Sequence, residues 1–532
     1  MKADAPHEWW KTGVIYQIYP RSFQDSNSDG VGDLRGIIDR LDYLSWLGVS
    51  AIWLSPIFPS PMADFGYDIS NYTGIDPVFG SLAEFDSLVT QMHRRGLKVI
   101  LDLVPNHTSD LHPWFRDSCS SRVSARRDWY IWRDPAPDGG PPNNWLSEFG
   151  GPAWSFDAAT GQYYYHAFLA QQPDLNWREP QVRAAMHEVM RFWLDRDVDG
   201  FRVDAIHMLM EDESLADNPS NPDWRPGQSP ARRLLRTHTA DLPETQVHVA
   251  GMRRVLDEYQ DRVLIGEAYL PISRMVAYYG EALSGFQLPF NFHLIKTPWN
   301  ARAIATLVTQ YEAALPPGGW PNWVLGNHDK PRLATRLGGI AQARLAALLL
   351  LTLRGTPTIY NGEEIGMVDG VIHPNEVRDP WEKNAPGLGL GRDPCRTPMQ
   401  WSGAPGAGFT QGLPWLPVTA NATVHNVAAE SADPHSMLSF YRQLIGLRNT
   451  EPSLTLGAYR LLHVTDHTLV FERRLDDRGV AIALNFSGEP QPVSLSGQRQ
   501  MLLSTHSTLH PNAHAEVAGL AAFEGVVVGV EG

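Results

Sequence analysis

The chain has 532 residues, which is too long for one compact core and predicts a large domain with one or two additional domains. Hydrophobic residues make up 43% of it, with 18 Trp and 17 Tyr, as in a globular protein with an ample core. The formal net charge of −15 argues against nucleic acid or an anionic membrane as a partner, because both need a basic surface. A small neutral ligand is compatible with this charge.

The N-terminal residues MKADAPHEWWKTG lack the apolar stretch of a signal peptide. No segment reaches the roughly eighteen uncharged apolar residues of a membrane span. We therefore expect a soluble, cytoplasmic protein. The two cysteines, Cys119 and Cys395, are far apart in the sequence and form no disulfide framework or metal-ligand motif, so we expect reduced thiols.

Strand and helix patterns alternate from residue 13 onward. The strand pattern GVIYQIYP is followed by a helical pattern at 33–48, the strand pattern SAIWLSP and a helical pattern at 82–96. Further helical patterns, EPQVRAAMHEVMRFWLD, MRRVLDEYQD and ARAIATLVTQYEAAL, each precede another apolar strand. With ARLAALLLLTLRG and a last strand, TPTIYNGEE, the alternation completes about eight repeats and predicts a closed α/β (β/α)8 TIM barrel.

Two insertions and a C-terminal region depart from this alternation. Residues 108–178 are rich in Trp, Pro, Gly and Tyr, and they predict a small domain inserted after the third strand. Residues 211–245 predict a polar, Pro-rich subdomain after the fourth strand. Short alternating strands without helices predict a C-terminal antiparallel β-sandwich domain over 455–532, which leaves 1–107 and 179–454 for the barrel.

Four apolar strand patterns end at or near a carboxylate: Asp102 in VILDLVPNH, Asp204 in GFRVDAIH, Glu267 in VLIGEAY and Asp329 in WVLGNHD. Each pattern is short and rich in Val, Ile and Leu, as buried parallel strands are. Acids at the carboxyl ends of barrel strands meet at one face, where barrel enzymes hold their chemistry. We therefore expect these four side chains to form one active site.

The runs DLVPNH, GFRVDA, GEAY and GNHD, in this order, resemble the four motifs of the α-amylase superfamily, glycoside hydrolase family 13. The run QPDLNW at 172–177 and the runs YNGEEIGM and RDPCRTPMQW are similar to those of its oligo-1,6-glucosidase and α-glucosidase branch. The resemblance covers nearly the whole chain. Several such motifs in one order make a chance match negligible.

The resemblance implies a retaining glycosidase, in which two carboxyl groups about 5–5.5 Å apart act through a covalent glycosyl-enzyme. Asp204 would be the nucleophile, and Glu267 would protonate the leaving oxygen and then deprotonate water or an alcohol. Arg202, two residues before Asp204 on the same strand face, would hold it ionised. Asp329 resembles the third acid, which binds sugar hydroxyls and favours the distorted ring.

The resemblance also implies a set of sugar-binding residues. His107 and His328 each follow an Asn and flank an acid, and a neutral imidazole can donate to a sugar hydroxyl. Tyr67 in GYDISNY would be a stacking platform. Asp68 would take the 4- and 6-hydroxyls of the terminal sugar, which suits an exo-acting enzyme.

Three further positions bear on the pocket. Arg392 in GRDPCRTPMQW is similar to the arginine that closes the pocket in this branch; the alternative is a structural pair with Asp393. Phe149 and Phe168 either line the pocket or form the core of the inserted domain. Ala205 follows the nucleophile, where α-1,6-cleaving relatives carry Val and maltose-preferring ones carry Ala or Thr; the alternative is that it is small only for packing.

These implications favour an exo-acting α-glucosidase that releases glucose from short α-1,4-glucosides such as maltose, with transfer to alcohols as well as water. An oligo-1,6-glucosidase, a sucrose isomerase, a trehalose synthase and a glucosyl transferase remain alternatives on the same scaffold. A trehalose-6-phosphate hydrolase would need a cationic pocket, which the sequence alone does not display. A catalytically inactive relative or a binding protein would lose the acids that this chain keeps. No organic cofactor and no particular oligomeric state is indicated.

A candidate cation site lies in the first βα loop, DSNSDGVGD. It resembles the start of an EF-hand loop, with Gly30 at the sixth position and oxygen donors at alternate positions from Asp25, Asn27, Asp29, the Val31 carbonyl and Asp33. Gly36 replaces the Glu of the twelfth position, which excludes a helix-loop-helix calcium sensor. The oligo-1,6-glucosidase branch carries a similar site. We expect structural Ca²⁺, with Mg²⁺ or a solvated acidic turn as alternatives.

Overall fold

The computed structural model describes residues 8–506 and 514–530. Eight parallel strands form the predicted closed barrel: β1 (Ile15–Ile18), β2 (Ala51–Leu54), β3 (Lys98–Leu103), β7 (Gly200–Val203), β8 (Val263–Glu267), β9 (Leu288–Asn291), β10 (Asn322–Val324) and β11 (Thr356–Tyr360). Their closed order is β1-β11-β10-β9-β8-β7-β3-β2. Buried side chains from alternate strand positions fill the interior, among them Trp53, Ile100, Ile265, Phe290 and Val324.

The sixth barrel strand, β9, has no counterpart among the predicted strands. It is four residues long, LPFN, and Pro289 lies inside it. Proline removes a backbone donor and argues against a central strand, which hides this one from a pattern search. In the barrel, β9 pairs in parallel with β8, and Pro289 lies opposite Gly266.

Helices lie between successive barrel strands, before the first strand and after the last. They are α1 (Trp9–Thr12), α2 (Leu34–Asp39), α3 (Leu41–Leu47), α4 (Leu82–Arg94), α6 (Pro180–Leu194), α7 (Glu244–Leu256), α8 (Ile272–Met275), α9 (His293–Lys296), α10 (Ala301–Ala314), α11 (Leu333–Leu337), α12 (Ile340–Thr352), α13 (Pro380–Asn384), α14 (Val427–Ala432), α15 (Met437–Thr450) and α16 (Pro452–Thr455). The helix predicted over 33–48 is divided at Arg40, whose φ and ψ are −106° and 5°. The first half of the helix predicted from MRRVLDEYQD, 252–256, is the end of α7. This helix begins earlier than predicted, at Glu244, and ends at Leu256.

The inserted region contains α5 (Pro113–Ser120) and three short antiparallel strands, β4 (Trp132–Arg133), β5 (Trp154–Asp157) and β6 (Gln162–Tyr165), in the order β4-β6-β5. Trp145, Trp154 and Tyr165 form an apolar cluster with Ala205 and Met208 of the barrel. The inserted region therefore rests on the residues that follow β7. The excursion at 211–245 contains a 3-10 helix at Pro230–Arg233.

The C-terminal region is an antiparallel sheet with the order β12-β13-β14-β17-β15-β16. The strands are β12 (Ala458–Val464), β13 (Thr468–Leu475), β14 (Arg478–Asn485), β15 (Gln491–Ser504), β16 (His514–Leu520) and β17 (Gly525–Val530). Strand β15 pairs with β16 along its first part and with β17 along its last residues, which joins the strands in one continuous order. Val470 and Ala481 of β13 and β14 share an apolar cluster with Val493 of β15 and Val517 of β16. Residues 507–513 and 531–532 of the predicted domain lie outside the described residues. None of the helices in the described ranges has the length and apolar character needed to cross a membrane.

Candidate active site

The carboxylates predicted to form one site converge at the C-terminal face of the barrel. Asp204 directly follows β7, Glu267 is the last residue of β8, and Asp329 lies in the loop after β10. All three line one cavity of about 1360 Å³. Phe149 and Phe168 of the inserted region form part of its wall, as one of their two predicted roles requires.

One guanidinium group joins three carboxylates at the base of this site. Arg202 is 1% exposed, and its Nη1 lies 2.7 Å from Oδ1 of Asp102 and 2.7 Å from Oδ1 of Asp204. Its Nη2 lies 2.6 Å from Oε2 of Glu267. The predicted pairing with Asp204 is therefore present, and the same side chain also fixes Glu267 relative to Asp204.

These contacts leave one oxygen of Asp204 and one oxygen of Glu267 without a hydrogen-bond donor in the described part of the chain. Oδ1 of Asp204 is bound by Arg202, and Oε2 of Glu267 is bound by Arg202 and by the backbone N–H of Ala205 at 2.9 Å. No donor from the described residues binds Oδ2 of Asp204 or Oε1 of Glu267. These two oxygens are available for nucleophilic attack and for proton transfer.

The charge balance of the cluster favours a bound proton. Burial raises the pKa of Asp204 well above its ordinary value; the charge of Arg202 opposes this shift, and the charges of Glu267 and Asp102 add to it. Burial also raises the pKa of Asp102 to about 6, against the charge of Arg202. Three carboxylates surround a single guanidinium group, so the cluster retains a proton more readily than isolated acids do. A retaining reaction uses such a proton on one carboxyl while the other is ionised.

Asp329 is held by two arginines of the long loop after β11. Its Oδ1 lies 2.9 Å from Nη2 of Arg396 and 3.4 Å from Nη1 of Arg392. Burial favours the neutral acid, but His328, Arg392 and Arg396 together lower the pKa of Asp329 below its ordinary value. Burial lowers the pKa of His328 well below its usual range, so the His328 imidazole is neutral. The two arginines are therefore the charges that lower the pKa of Asp329. Asp329 is therefore an anion near neutral pH.

His328 lies behind the cavity wall rather than in it. Its ring is parallel to that of Tyr67 at 5.4 Å, and Tyr67 lines the cavity. Gln17 Nε2 lies 2.7 Å from Nδ1, and the Tyr67 hydroxyl lies 2.6 Å from Nε2. Both ring nitrogens thus have protein partners, because the amide donates to Nδ1 and Nε2 donates to the hydroxyl. This corrects the predicted sugar contact: His328 positions Tyr67, whose hydroxyl donates to Asp102 at 3.1 Å.

His107, in contrast, lines the cavity, although both of its ring nitrogens also have protein partners, among them the Tyr67 carbonyl at 3.0 Å from Nε2. Its Nδ1 lies 2.9 Å from Oδ1 of Asn106, and its Nε2 lies 3.1 Å from the amide nitrogen of Gln172. Its ring packs against Phe168 with the ring centres 5.1 Å apart. Burial lowers the pKa of His107 to about 4, so the ring is neutral near pH 7.

Arg392 lies in the wall of the cavity, between two acids. Its Nη2 lies 2.6 Å from Oδ1 of Asp64 and 2.6 Å from Oδ1 of Asp379. Its guanidinium group also lies 5.2 Å from the ring centre of Phe149. The alternative pairing with Asp393 is absent from the described contacts, because that carboxylate accepts backbone N–H groups of 378 and 379 instead. Arg392 therefore lines the cavity, and its predicted role in closing the pocket stays a prediction.

The structure corrects the prediction for Asp68. This side chain is fully buried and is not part of the cavity wall. Its oxygens accept hydrogen bonds from Ser60 Oγ at 2.8 Å and from the backbone N–H groups of Ala63 at 2.8 Å and Asp64 at 2.9 Å. Asp68 thus stabilises its own loop. Asp64, in the same loop, lines the cavity and pairs with Arg392.

Sequence reasoning missed several residues of the site: Asp64, Asp379, Trp381 and Arg396. Asp64 precedes the predicted platform Tyr67 by three positions, which is a usable signal for a second candidate acid. Asp379 and Arg396 lie on either side of Arg392, in a segment whose runs RDPW and RDPCR repeat an Arg-Asp-Pro pattern. Nothing in the sequence shows that this segment folds back over the barrel.

Ala205 has both of the roles considered for it. It lines the cavity, and it packs into the apolar cluster of the inserted region with Trp145 and Tyr165. Its φ of 43° and ψ of 35° are left-handed, a conformation that β-branched residues adopt only with strain. A larger residue here would therefore change both the cavity and the backbone.

The loop of the candidate cation site is folded by its own side chains. Asp25 accepts backbone N–H groups of Asn27 at 2.9 Å and Gly30 at 2.9 Å, and Asp29 accepts that of Val31 at 2.8 Å. Asp33 caps α2 and accepts the N–H of residue 36. Three or more His, Cys, Asp or Glu side chains do not gather into a metal-binding group anywhere in the described ranges.

Comparison with known proteins places this site in a family. The family description "Alpha amylase, catalytic domain" matches residues 17–457. A probable alpha-glucosidase of Rhizobium meliloti (strain 1021) is 41% identical, over 94% of this chain and 93% of its own, and an oligo-1,6-glucosidase of Parageobacillus thermoglucosidasius is 39% identical, over 91% of each chain. The crystal structure of an alpha-glucosyl transfer enzyme superposes with a TM-score of 0.93 at 40% identity, covering 98% of this chain and 99% of that one. The chain belongs to the α-amylase family, glycoside hydrolase family 13, and is a glycoside hydrolase.

Proposed function

We propose that this glycoside hydrolase is a retaining, exo-acting α-glucosidase that releases glucose from the non-reducing end of short α-1,4-glucosides such as maltose. The observation that carries the proposal is the arrangement of Asp204 and Glu267 on one guanidinium group, in a cavity whose wall includes Arg392. Relatives described as alpha-glucosidase and oligo-1,6-glucosidase support the substrate class.

In the first step, Oδ2 of Asp204 attacks the anomeric carbon while the proton on Oε1 of Glu267 moves to the glycosidic oxygen. The bond between the anomeric carbon and that oxygen breaks, and a glucosyl ester of Asp204 forms. In the second step, the Glu267 carboxylate takes a proton from water or an alcohol, whose oxygen attacks the anomeric carbon. The Asp204 carboxylate is then released, and the product keeps the α configuration.

The closed end of the cavity supports exo action. The pair of Arg392 and Asp64 spans the cavity wall beside Tyr67 and His107. Carboxylate and guanidinium groups at this end can bind the hydroxyls of a terminal sugar, and in this proposal their pairing blocks a chain that continues beyond it. A long polysaccharide is therefore a poor substrate in this proposal.

Transfer to an alcohol competes with hydrolysis at the second step. The cavity is wide, at about 1360 Å³, and has apolar walls from Phe149, Phe168 and Trp381, which can hold a second molecule beside the glucosyl ester. The structural likeness to an alpha-glucosyl transfer enzyme supports this part of the proposal.

The test is a panel of initial rates on maltose, isomaltose, sucrose, trehalose and starch, with the anomer of the released glucose followed by NMR. We expect maltose to give the highest kcat/KM, starch to be cleaved slowly, and glucose to appear first as the α anomer. Initial release of the β anomer would contradict the retaining mechanism. A preference for isomaltose would favour the second candidate function, an oligo-1,6-glucosidase. The 39% identical relative, which is described as such an enzyme, supports this candidate.

We also propose a structural Ca²⁺, with Mg²⁺ as the alternative, in the loop of residues 25–33. Asp25, Asn27 and Asp29 provide oxygens at alternate positions of a tight loop, which suits a hard cation. Asp33 fits this set less well, because its carboxylate caps α2. Exhaustive chelation should lower the melting temperature more than kcat, and adding back Ca²⁺ or Mg²⁺ should identify the ion. An unchanged melting curve would contradict the proposal.

A further inference from the structure

Four cationic side chains line one part of the cavity. Arg232 and Arg236 come from the excursion at 211–245, Lys296 ends α9, and Lys330 lies in the loop after β10. The whole chain carries a net charge of −15, whereas this part of the wall is rich in positive charge. The catalytic mechanism proposed above uses none of these four residues.

Two of the cations share one aromatic ring. Nζ of Lys296 lies 4.6 Å and Nζ of Lys330 lies 5.2 Å from the ring centre of Tyr269. Tyr269 is itself fixed, because it stacks on Phe292 with the ring centres 4.3 Å apart. The ring therefore holds two ammonium groups at the cavity surface, where each interacts with its face.

The positive charges in this cluster are only partly balanced by carboxylates. Burial, together with the charges of Lys330, Arg232 and Arg236, lowers the pKa of Lys296 to about 8. Arg236 contacts the carboxylate of Glu148, and the charge of Lys330 contributes to the lowered pKa of Asp329, but no ion pair between described residues includes Lys296. Like charges that crowd a partly buried site repel each other, and a bound anion relieves that repulsion.

The cluster lies on the side of the cavity where a leaving group must be. Tyr269 follows Glu267 by two positions, and Lys296 follows the neighbouring strand β9. Glu267 protonates the departing oxygen, so the leaving group and the later acceptor lie beside this residue. In the closed strand order β8 lies opposite β1. The two neighbours of β1 are β2, whose following loop contains Asp64, and β11, whose following loop contains Arg392. The cluster and the pair of Asp64 and Arg392 therefore lie on opposite sides of the barrel.

We propose that Lys296, Lys330 and Arg232 form a subsite for a leaving group or acceptor that carries an anionic oxygen group, either a carboxylate or a phosphate. The proposal rests on the α-glucosidase function, because it assigns the second molecule of that same reaction. The glucosyl unit is bound at the Arg392 end, and the anionic group of its partner accepts hydrogen bonds from the ammonium and guanidinium groups at the other end. A neutral sugar would leave the repulsion among these cations in place.

The test measures glucosyl transfer from maltose to matched acceptors by the full chain. One pair compares 4-hydroxybenzoate with 4-hydroxybenzamide for the carboxylate, and a second compares glucose 6-phosphate with glucose for the phosphate. We expect the anionic member of at least one pair to have a kcat/KM about tenfold higher, the low end of a charge-assisted hydrogen bond. The preference should also shrink as the salt concentration rises. Equal or lower rates with the anionic member of both pairs would overturn the proposal.

Substitutions locate the effect. Lys296→Met should reduce the preference several-fold relative to the neutral acceptor measured on the same variant. Lys383→Met is the control, because it removes a positive charge from the same cavity, but Lys383 is not among the cations that lower the pKa of Lys296. The preference of this variant for the anionic acceptor should stay near that of the parent. Lys330→Met provides a second variant should the first fail to fold. A preference that survives both lysine substitutions would overturn the assignment, whereas the absence of any maltose cleavage by the parent would reject the α-glucosidase function itself.

Discussion

The backbone N–H of Ala205 donates a hydrogen bond to Oε2 of Glu267 at 2.9 Å. The residue after Asp204, the proposed nucleophile, is thereby tied to Glu267, the proposed proton donor. The bond is made with Ala205 in a left-handed conformation, φ 43° and ψ 35°. Any substitution that changes this conformation also moves the donor that fixes one oxygen of Glu267.

Ala205→Val should shift linkage preference from maltose toward isomaltose. One or two added methyl groups beside the leaving sugar change discrimination by about 10–200-fold, and we expect a shift near the lower figure. A β-branched residue at positive φ is strained, so the variant should also melt at a lower temperature and turn over maltose more slowly. The measurement is kcat/KM for both disaccharides, together with a melting curve.

Ala205→Gly is the matched control for this substitution. Glycine accepts positive φ without strain and adds no volume, so the preference for maltose should persist. If Ala205→Val leaves the ratio of the two kcat/KM values unchanged, Ala205 does not determine linkage preference. The family assignment is independent of that result.

Asp204→Asn and Glu267→Gln should separate the two catalytic roles. Asp204→Asn removes the oxygen nucleophile and should lower kcat on every substrate by at least about a thousandfold. Glu267→Gln keeps the nucleophile but lacks the proton, so it should lose most activity on maltose and retain more on an aryl α-glucoside, whose leaving group needs little protonation. Equal losses on both substrates for Glu267→Gln would contradict its role as the acid.

The sequence predicted the reactive acids better than it predicted the closed end of the cavity. Asp204 and Glu267 lie at the ends of regular strands, where the apolar pattern fixes both their position and the face they share. Asp64 and Asp68 lie in an irregular loop, in which Phe65 has a φ of 47° and Gly66 a φ of 111°. The direction of each side chain depends on those turns, and no periodic pattern encodes it. The partner of Arg392 at Asp379 likewise depends on how one long loop folds.

Acidification should destabilise the inserted region through His112. Its Nδ1 accepts the backbone N–H of Trp114 at 3.1 Å and caps α5. Burial, and then the charge of Arg126, lowers the pKa of His112 to about 4. Between pH 6.5, where an unfolded histidine titrates, and pH 4, the unfolded chain binds more protons than the folded one, so stability falls as the pH falls.

His112→Asn tests this dependence. Asparagine is a good helix cap and does not titrate. The melting temperature of the variant should therefore fall less than that of the parent between pH 6.5 and pH 4. His463→Asn, at an exposed position in β12, is the control and should follow the parent. A parent and a His112→Asn variant that respond identically to pH would contradict the assignment.

Arg473 should stabilise the junction between the barrel and the C-terminal sheet. The side chain is fully buried in β13, and its Nη1 donates to the carbonyl of Thr352 at 2.7 Å, while Nη2 donates to that of Gly457 at 2.8 Å. Arg473→Met leaves these carbonyls without a donor, each at a cost of about 1–3 kcal/mol, so we expect the free energy of unfolding to fall by several kcal/mol. Arg474→Gln, which removes a partly exposed pair with Glu472, should change it by less than about 1 kcal/mol. The measurement is urea unfolding with limited proteolysis of the C-terminal sheet, and equal midpoints for the two variants would show that Arg473 does not hold the junction.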